Sequence, residues 1–207
     1  MDHGAQSRGL KGPVAKPGRY GRAVVLVIPV LIMVSIQLIG ESALSALRYE
    51  RSWLVMGEWW RLFSPHAVHL DVRHLLFNLA GLILLWLLFA RDFCVGRWFL
   101  ILVASMLAVD AGLWWGSPQV LWYVGASGAL HGLWAAGGFA QWRREASPTL
   151  LPLMALVLKL MVEHWRNESI VVAGLPVVPQ AHLYGALGGL FLPVIWEVAR
   201  VRRVARL

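Results

Sequence analysis

Two residues can form an acyl-transfer pair: Ser127, at the start of one apolar segment just after Gly125, and His182, which opens the last apolar segment. A serine hydroxyl is a poor nucleophile until a base takes its proton, and a neutral imidazole does that. Acyl transfer also needs hydrogen-bond donors for an oxyanion. Backbone N–H groups at a helix N-terminus supply some of them. His74 and Asn78, one turn apart in another apolar segment, add side-chain donors. No carboxylate is obligatory, because a Ser–His dyad suffices. His131 is four residues beyond Ser127, shares its helix face and competes as the base. It sits one turn, about 5.4 Å, deeper, so His182 is preferred.

Apolar helices must position these groups. The 207 residues are 58% hydrophobic and 14% charged, with mean hydropathy +0.63, whereas a soluble domain carries about 25% charged residues. Six apolar segments stand out, at 23–39, 75–90, 98–115, 125–141, 150–163 and 182–199. Six spans of about 20 residues fill about 120 positions. An all-α membrane protein built as a six-transmembrane-helix bundle follows. Residues 1–22 read as a disordered basic cytoplasmic tail, 23–200 as the membrane domain and 201–207 as a basic cytoplasmic tail. The basic stretch before 23–39 also suits a signal peptide, but its length and the later spans favour an uncleaved first span. Cys94, the single cysteine, excludes an intramolecular disulfide or a cysteine-built zinc site and reads as inert.

The basic residues set the orientation. With the N-terminus inside, thirteen of the 19 Lys and Arg fall on cytoplasmic segments, among them Arg91, Arg97, Arg143, Arg144 and Arg200. The net charge of +8 is then a topology signal, and no nucleic-acid partner is expected. Spans two, four and six all run from outside to inside. His74, Asn78, Ser127 and His182 consequently share one depth near the outer face. Gly128 and Gly132 in span four, and Ala181, Gly185 and Gly189 in span six, recur every four residues. Small residues at that spacing let helix backbones approach closely in lipid, which would bring Ser127 to His182.

The loop 48–73 interleaves Trp53, Trp59 and Trp60 with charges, as suits a segment lying in the interface. Arg61 with Glu58 is expected to anchor it. Asp110, Lys159 and Glu163 are unusual in lipid. Lys159 and Glu163, four apart, can pair, or Lys159 can snorkel outward, and Asp110 could meet Lys159. A structural ion pair is the main reading, with recognition of a substrate end as the alternative. His3, His66 and His164 have no sharp assignment.

At these residues the chain resembles the rhomboid family of intramembrane serine proteases. Gly125-Ala126-Ser127-Gly128 is similar to its GxSG nucleophile motif. The stretch from His69 through His74 to Asn78 is similar to its HxxxxHxxxN motif, and Ala181-His182-Leu183-Tyr184-Gly185 to its AHxxG motif. Glu58-Trp59-Trp60-Arg61 resembles the Trp-Arg element of its first loop. The resemblance implies Ser127 as nucleophile, His182 as general base, and His74 and Asn78 as oxyanion partners with the Ser127 amide. His69 is then a support at the site's mouth, with Gly125, Gly128 and Gly185 shaping the backbone. Many rhomboids carry, four residues after the nucleophile, a Tyr that stacks on the catalytic His. This chain has His131 there, so the stacking role passes to an imidazole.

The stretches 127–132 and 181–186 further resemble the rhombosortase subgroup. That implies membrane-anchored exported substrates ending in Gly-Gly, a hydrophobic helix and a basic end. They would be cleaved near the outer face of a bacterial inner membrane, with no cofactor and no metal. Alternatives are a general rhomboid protease with other single-span substrates, a catalytically dead relative, or a transition-metal transporter using His66, His69, His74, His131 and His182. Against the transporter, there is neither an HExxH motif nor an evident inverted repeat.

Overall fold

The computed structural model describes residues 19–144, 148–165, 171–172 and 175–206. Long helices lie over all six apolar segments: α1 (Arg19–Ile39), α4 (Val72–Phe89), α5 (Val95–Ala111), α6 (Ser127–Trp142), α7 (Leu151–Trp165) and α8 (Pro179–Val204). Two short helices, α2 (Glu41–Leu47) and α3 (Arg51–Val55), follow α1 in the chain. Among the described residues, four helices, α1, α4, α8 and α5 with its extension to Gly116, are long and apolar enough to cross a membrane. α6 and α7 have 16 and 15 residues, short of the usual span of about 20. The molecule is an all-α membrane protein.

The ends differ from the sequence expectation. α1 already includes Arg19–Arg22, assigned above to the tail, and α8 runs to Val204, through most of the expected C-terminal tail. Arg202 and Arg203 occupy the last turn of α8, where cations favour the negative end of the helix dipole. The tail residues 1–18, with His3, lie outside the described residues.

Local chemistry fixes the other boundaries. Asp71 caps α4, accepting from the His74 N–H at 2.8 Å, a role for which short polar side chains are favoured. Pro179 opens α8, where a missing N–H costs nothing. α5 widens into a π-helical turn at Gly112–Gly116, and both terminal glycines of that turn make room for Tyr184.

α6 is the hub. It packs against α4, α5, α7 and α8, and most of its side chains are buried. Leu82, Leu85 and Phe89 of α4, Trp98 and Ile101 of α5, and Ala129, Leu133 and Ala136 of α6 form the main core. Val25 and Met33 of α1 join it. α6 and α8 touch along their glycines. A Cβ on Gly128 would lie 2.9 Å from the Ala181 carbonyl oxygen, and one on Gly132 would lie 2.6 Å from that of Gly185. The four-residue small-residue pattern is therefore a backbone-to-backbone seam.

The segment between α1 and α4 is tied down rather than loose. Arg61 is buried and binds Glu58 Oε2 at 2.6 Å, the Ser45 carbonyl at 3.0 Å and the Arg48 carbonyl at 2.8 Å. The expected Arg61–Glu58 anchor is present. Trp53, Trp59 and Trp60 remain exposed. Strand β1 (Tyr49–Glu50) pairs antiparallel with β2 (Trp122–Tyr123), Tyr49 opposite Tyr123, and so joins this segment to the approach to α6.

Candidate active site

The seam between α6 and α8 sets the distance between the two central groups. Ser127 is the first residue of α6 and His182 lies in the first turn of α8. Ser127 Oγ is 2.9 Å from His182 Nε2. His182 is buried and Ser127 partly accessible. With Oγ–H donating to Nε2, the imidazole hydrogen belongs on Nδ1.

The backbone before Ser127 is shaped for close approach. Gly125 has φ of +114°, a conformation that side chains resist. A Cβ there would also lie 2.8 Å from His74 Nε2, so His74 sits directly against the turn carrying the serine. Tyr123 braces that turn, donating its hydroxyl to the Gly125 carbonyl at 2.7 Å and accepting the Gly128 N–H at 3.3 Å. Burial pushes the Tyr123 phenol up to about 12, so it stays a donor. The Gly128 amide is thereby occupied, and sequence reading had not singled out Tyr123.

His74 is set as a donor toward the cavity. The Leu70 N–H donates to its Nδ1 at 3.3 Å, so the neutral ring carries its hydrogen on Nε2. Asn78 Nδ2 donates to the His74 carbonyl at 2.9 Å, which fixes the amide's orientation and leaves its second hydrogen free. His69 packs edge-on against His74, centroids 5.1 Å apart. Burial and the neighbouring His74 lower the His69 imidazole to about 3, so it is a neutral ring that backs His74. It is buried toward α1 and α2 rather than set at the cavity's mouth as expected. The His74 N–H and Arg73 hold the Asp71 carboxyl below its ordinary value, which keeps the α4 cap ionised.

His131 does not contact the serine hydroxyl. Its Nδ1 donates to the Ser127 carbonyl at 2.6 Å, and its ring stacks on His182 with centroids 4.0 Å apart and planes 13° apart. That is the stacking geometry expected of the residue at this position.

Two ionic expectations part ways. Lys159 and Glu163 pair along α7 as expected, but Glu163 Oε2 also lies 2.8 Å from His182 Nδ1. That second contact was missed: the i, i+4 spacing reveals only the partner on the same helix. Asp110 does not meet Lys159. It is buried and faces His66, with Nε2 3.4 Å from Oδ2. The reason is geometric, since Lys159 is engaged with Glu163 on α7 and lines the cavity.

A cavity of about 620 Å³ joins the parts. Its lining includes His74 and Asn78 from α4, Ser127 and His131 from α6, Lys159 and Glu163 from α7, and His182. Most of the wall is apolar, with polar groups gathered around the serine. A substrate chain and water could both be held there.

A membrane-embedded helical bundle with a serine hydroxyl aligned on an imidazole is the architecture of an intramembrane serine hydrolase. Residues 56–197 match the family model for the rhomboid domain, and the chain belongs to the rhomboid family of intramembrane serine proteases. YdcA of Bacillus subtilis, which carries a rhomboid-protease designation, is 29% identical over 153 residues, covering 71% of this chain and 72% of YdcA. The rhomboid protease GluP of Bacillus subtilis is 35% identical over 83 residues, 40% of this chain and 16% of GluP.

Proposed function

We propose that this rhomboid protease cleaves membrane-anchored exported proteins with a Ser127–His182 dyad. The observation carrying the reading is the 2.9 Å contact between Ser127 Oγ and His182 Nε2, made across two helices whose glycines meet. In the reaction, Ser127 Oγ attacks the scissile carbonyl carbon and its proton passes to His182 Nε2. His74 Nε2–H, the free Asn78 Nδ2–H and the Ser127 amide donate to the oxyanion. The C–N bond breaks as Nε2 returns the proton to the leaving nitrogen, and an acyl ester remains on Ser127. Water in the cavity attacks the ester and gives a proton to Nε2. Collapse of that intermediate frees the new carboxyl end and restores the serine hydroxyl.

All six long helices cross the bilayer in this reading: the shorter α6 is enclosed by its neighbours, and the shorter α7 turns an exposed apolar face toward lipid. Both termini are cytoplasmic and the dyad faces the periplasmic side of a bacterial inner membrane, in keeping with the distribution of basic residues. Substrates are of the rhombosortase type: a C-terminal Gly-Gly, a hydrophobic helix and a basic end. The stretches 127–132 and 181–186 support that class. The similarity to proteins designated simply as rhomboid proteases supports a second reading, in which other single-span proteins are cut.

The test is co-expression of a reporter substrate with that tripartite end. Processing is expected with the wild type and none with Ser127→Ala; intact processing in that variant would overturn the mechanism. Activity in His182→Ala with none in Ser127→Ala would transfer the base role to His131. A single-span reporter without Gly-Gly, cut equally well, would favour the second substrate reading.

A further inference from the structure

Glu163 stands where a dyad requires nothing. A carboxylate on an apolar membrane helix is costly unless paired, and this one is paired twice. Oε1 engages Lys159 Nζ one turn earlier on α7, and Oε2 lies 2.8 Å from His182 Nδ1 on α8. Only 8% of the residue is exposed. An ion pair serving the fold alone needs Lys159 and has no use for His182.

The chemistry of imidazole gives the contact a role. Neutral His has two tautomers, and only the one with hydrogen on Nδ1 leaves Nε2 free to take the serine proton. An ionised carboxylate is an acceptor without a proton to give, so beside Nδ1 it selects that tautomer. When Nε2 takes the proton, a positive ring forms inside an apolar bundle, and a fixed negative group beside it stabilises that state. The carboxylate acts in the ring plane, while His131 covers the ring face at 4.0 Å. Lys159 in turn holds the carboxylate.

We infer that Glu163 is a positioning residue for His182, making the site a Lys159-braced Ser127–His182–Glu163 relay; this rests on the dyad chemistry proposed above. Glu163 contacts Nδ1, the ring nitrogen that does not take the serine proton. It acts through the tautomer, orientation and charge of His182.

The experiment uses the full chain in nanodiscs, with the reporter substrate and a fluorophosphonate that labels serine nucleophiles. Glu163→Gln is expected to lower kcat by about 10²-fold or more while KM changes by less than about twofold. Fluorophosphonate labelling of Ser127 slows in parallel. The low-field His182 Nδ1 proton resonance disappears, and Glu163→Asp restores part of the rate. Should Glu163→Gln weaken the fold, the neutral pair Lys159→Met with Glu163→Gln removes the same carboxylate without stranding a charge. It is expected to melt like the wild type and remain slow. A kcat within about twofold of wild type in either folded variant overturns the inference. If Ser127→Ala is dead and Glu163→Gln fully active, only the relay falls; if Ser127→Ala is active, the dyad falls too.

Discussion

His131 shows how one side chain can be read correctly for place and still be open for role. Its spacing from Ser127 put it on the nucleophile's face, where it could stack on the base or be the base. In the folded chain its Nδ1 is committed to the Ser127 carbonyl and its ring lies flat on His182, the geometry that the stacking reading requires. Aromatic stacks contribute about 0.5–1.5 kcal/mol beyond burial. His131→Ala should therefore slow cleavage about 3- to 10-fold, while His131→Phe, which keeps a ring face and has no base, should retain most of the rate. Steady-state kinetics on the reporter substrate checks this. A His131→Phe enzyme as inactive as Ser127→Ala would make His131 the base. The same scale shows where sequence falls silent. Ser127, His182, His74 and Asn78 were legible because motifs and a shared depth singled them out. Glu163 was legible only as a partner of Lys159, because its second contact depends on how α7 packs beside α8. Asp110 was paired with the wrong helix for the same reason: a buried charge announces that it needs a partner, not which one.

Among the elements, the α6–α8 seam decides whether the site exists. Association of helices in lipid relies on close van der Waals packing rather than on expulsion of water, so the glycines stand in place of an apolar core. Gly185 has no slack, because its missing Cβ would press on the Gly128 backbone rather than on a side chain that could rotate away. Gly185→Ala should force the helices apart, destabilising the protein by about 1–3 kcal/mol and lengthening the Ser127–His182 contact. A lowered thermal midpoint in detergent, together with lost fluorophosphonate labelling at a temperature where the variant is still folded, is the expected pair of results. Normal labelling would mean that the seam tolerates a methyl group and does not set the dyad distance. The seam was readable in the sequence as two four-residue repeats of small residues, and the apolar segments gave the long helices with ends displaced by about a turn. The short α2 and α3 and the β1–β2 pairing were not. They lie in or next to a loop where interfacial Trp and charges obscure any period, and pairing partners 72 and 74 positions apart leave no local trace.

Over the whole molecule, the Ser127–His182 contact and a layer of ion pairs between helix ends lie at opposite ends of α6. At one end, His74 in the first turn of α4 lies against the Gly125 turn that carries Ser127, and Ser127 meets His182. At the other, the end of α4, the start of α5, the end of α6 and the later part of α8 are laced together by polar groups. Gln141 donates to the Leu88 carbonyl at 3.1 Å, Arg144 pairs with Asp92, and Arg143 meets Glu197 at 2.8 Å. Arg97 lies over the Trp196 ring at 4.6 Å, and Arg200 meets Glu197 at 2.9 Å. Of the basic residues that assigned the cytoplasmic side in the sequence, Arg97, Arg143, Arg144 and Arg200 thus meet at this end, in keeping with the proposed orientation. The expected consequence is a simple asymmetry in labelling. In a Cys94→Ser background expressed in the bacterial inner membrane, a membrane-impermeant maleimide added from the periplasmic side should label Gln119→Cys, near the mouth of the cavity. It should leave Arg144→Cys unlabelled until the membrane is permeabilised. The reverse pattern would place the dyad on the cytoplasmic side, and exported proteins could then no longer be its substrates, because their cleavable end would be presented to the wrong face of the bundle.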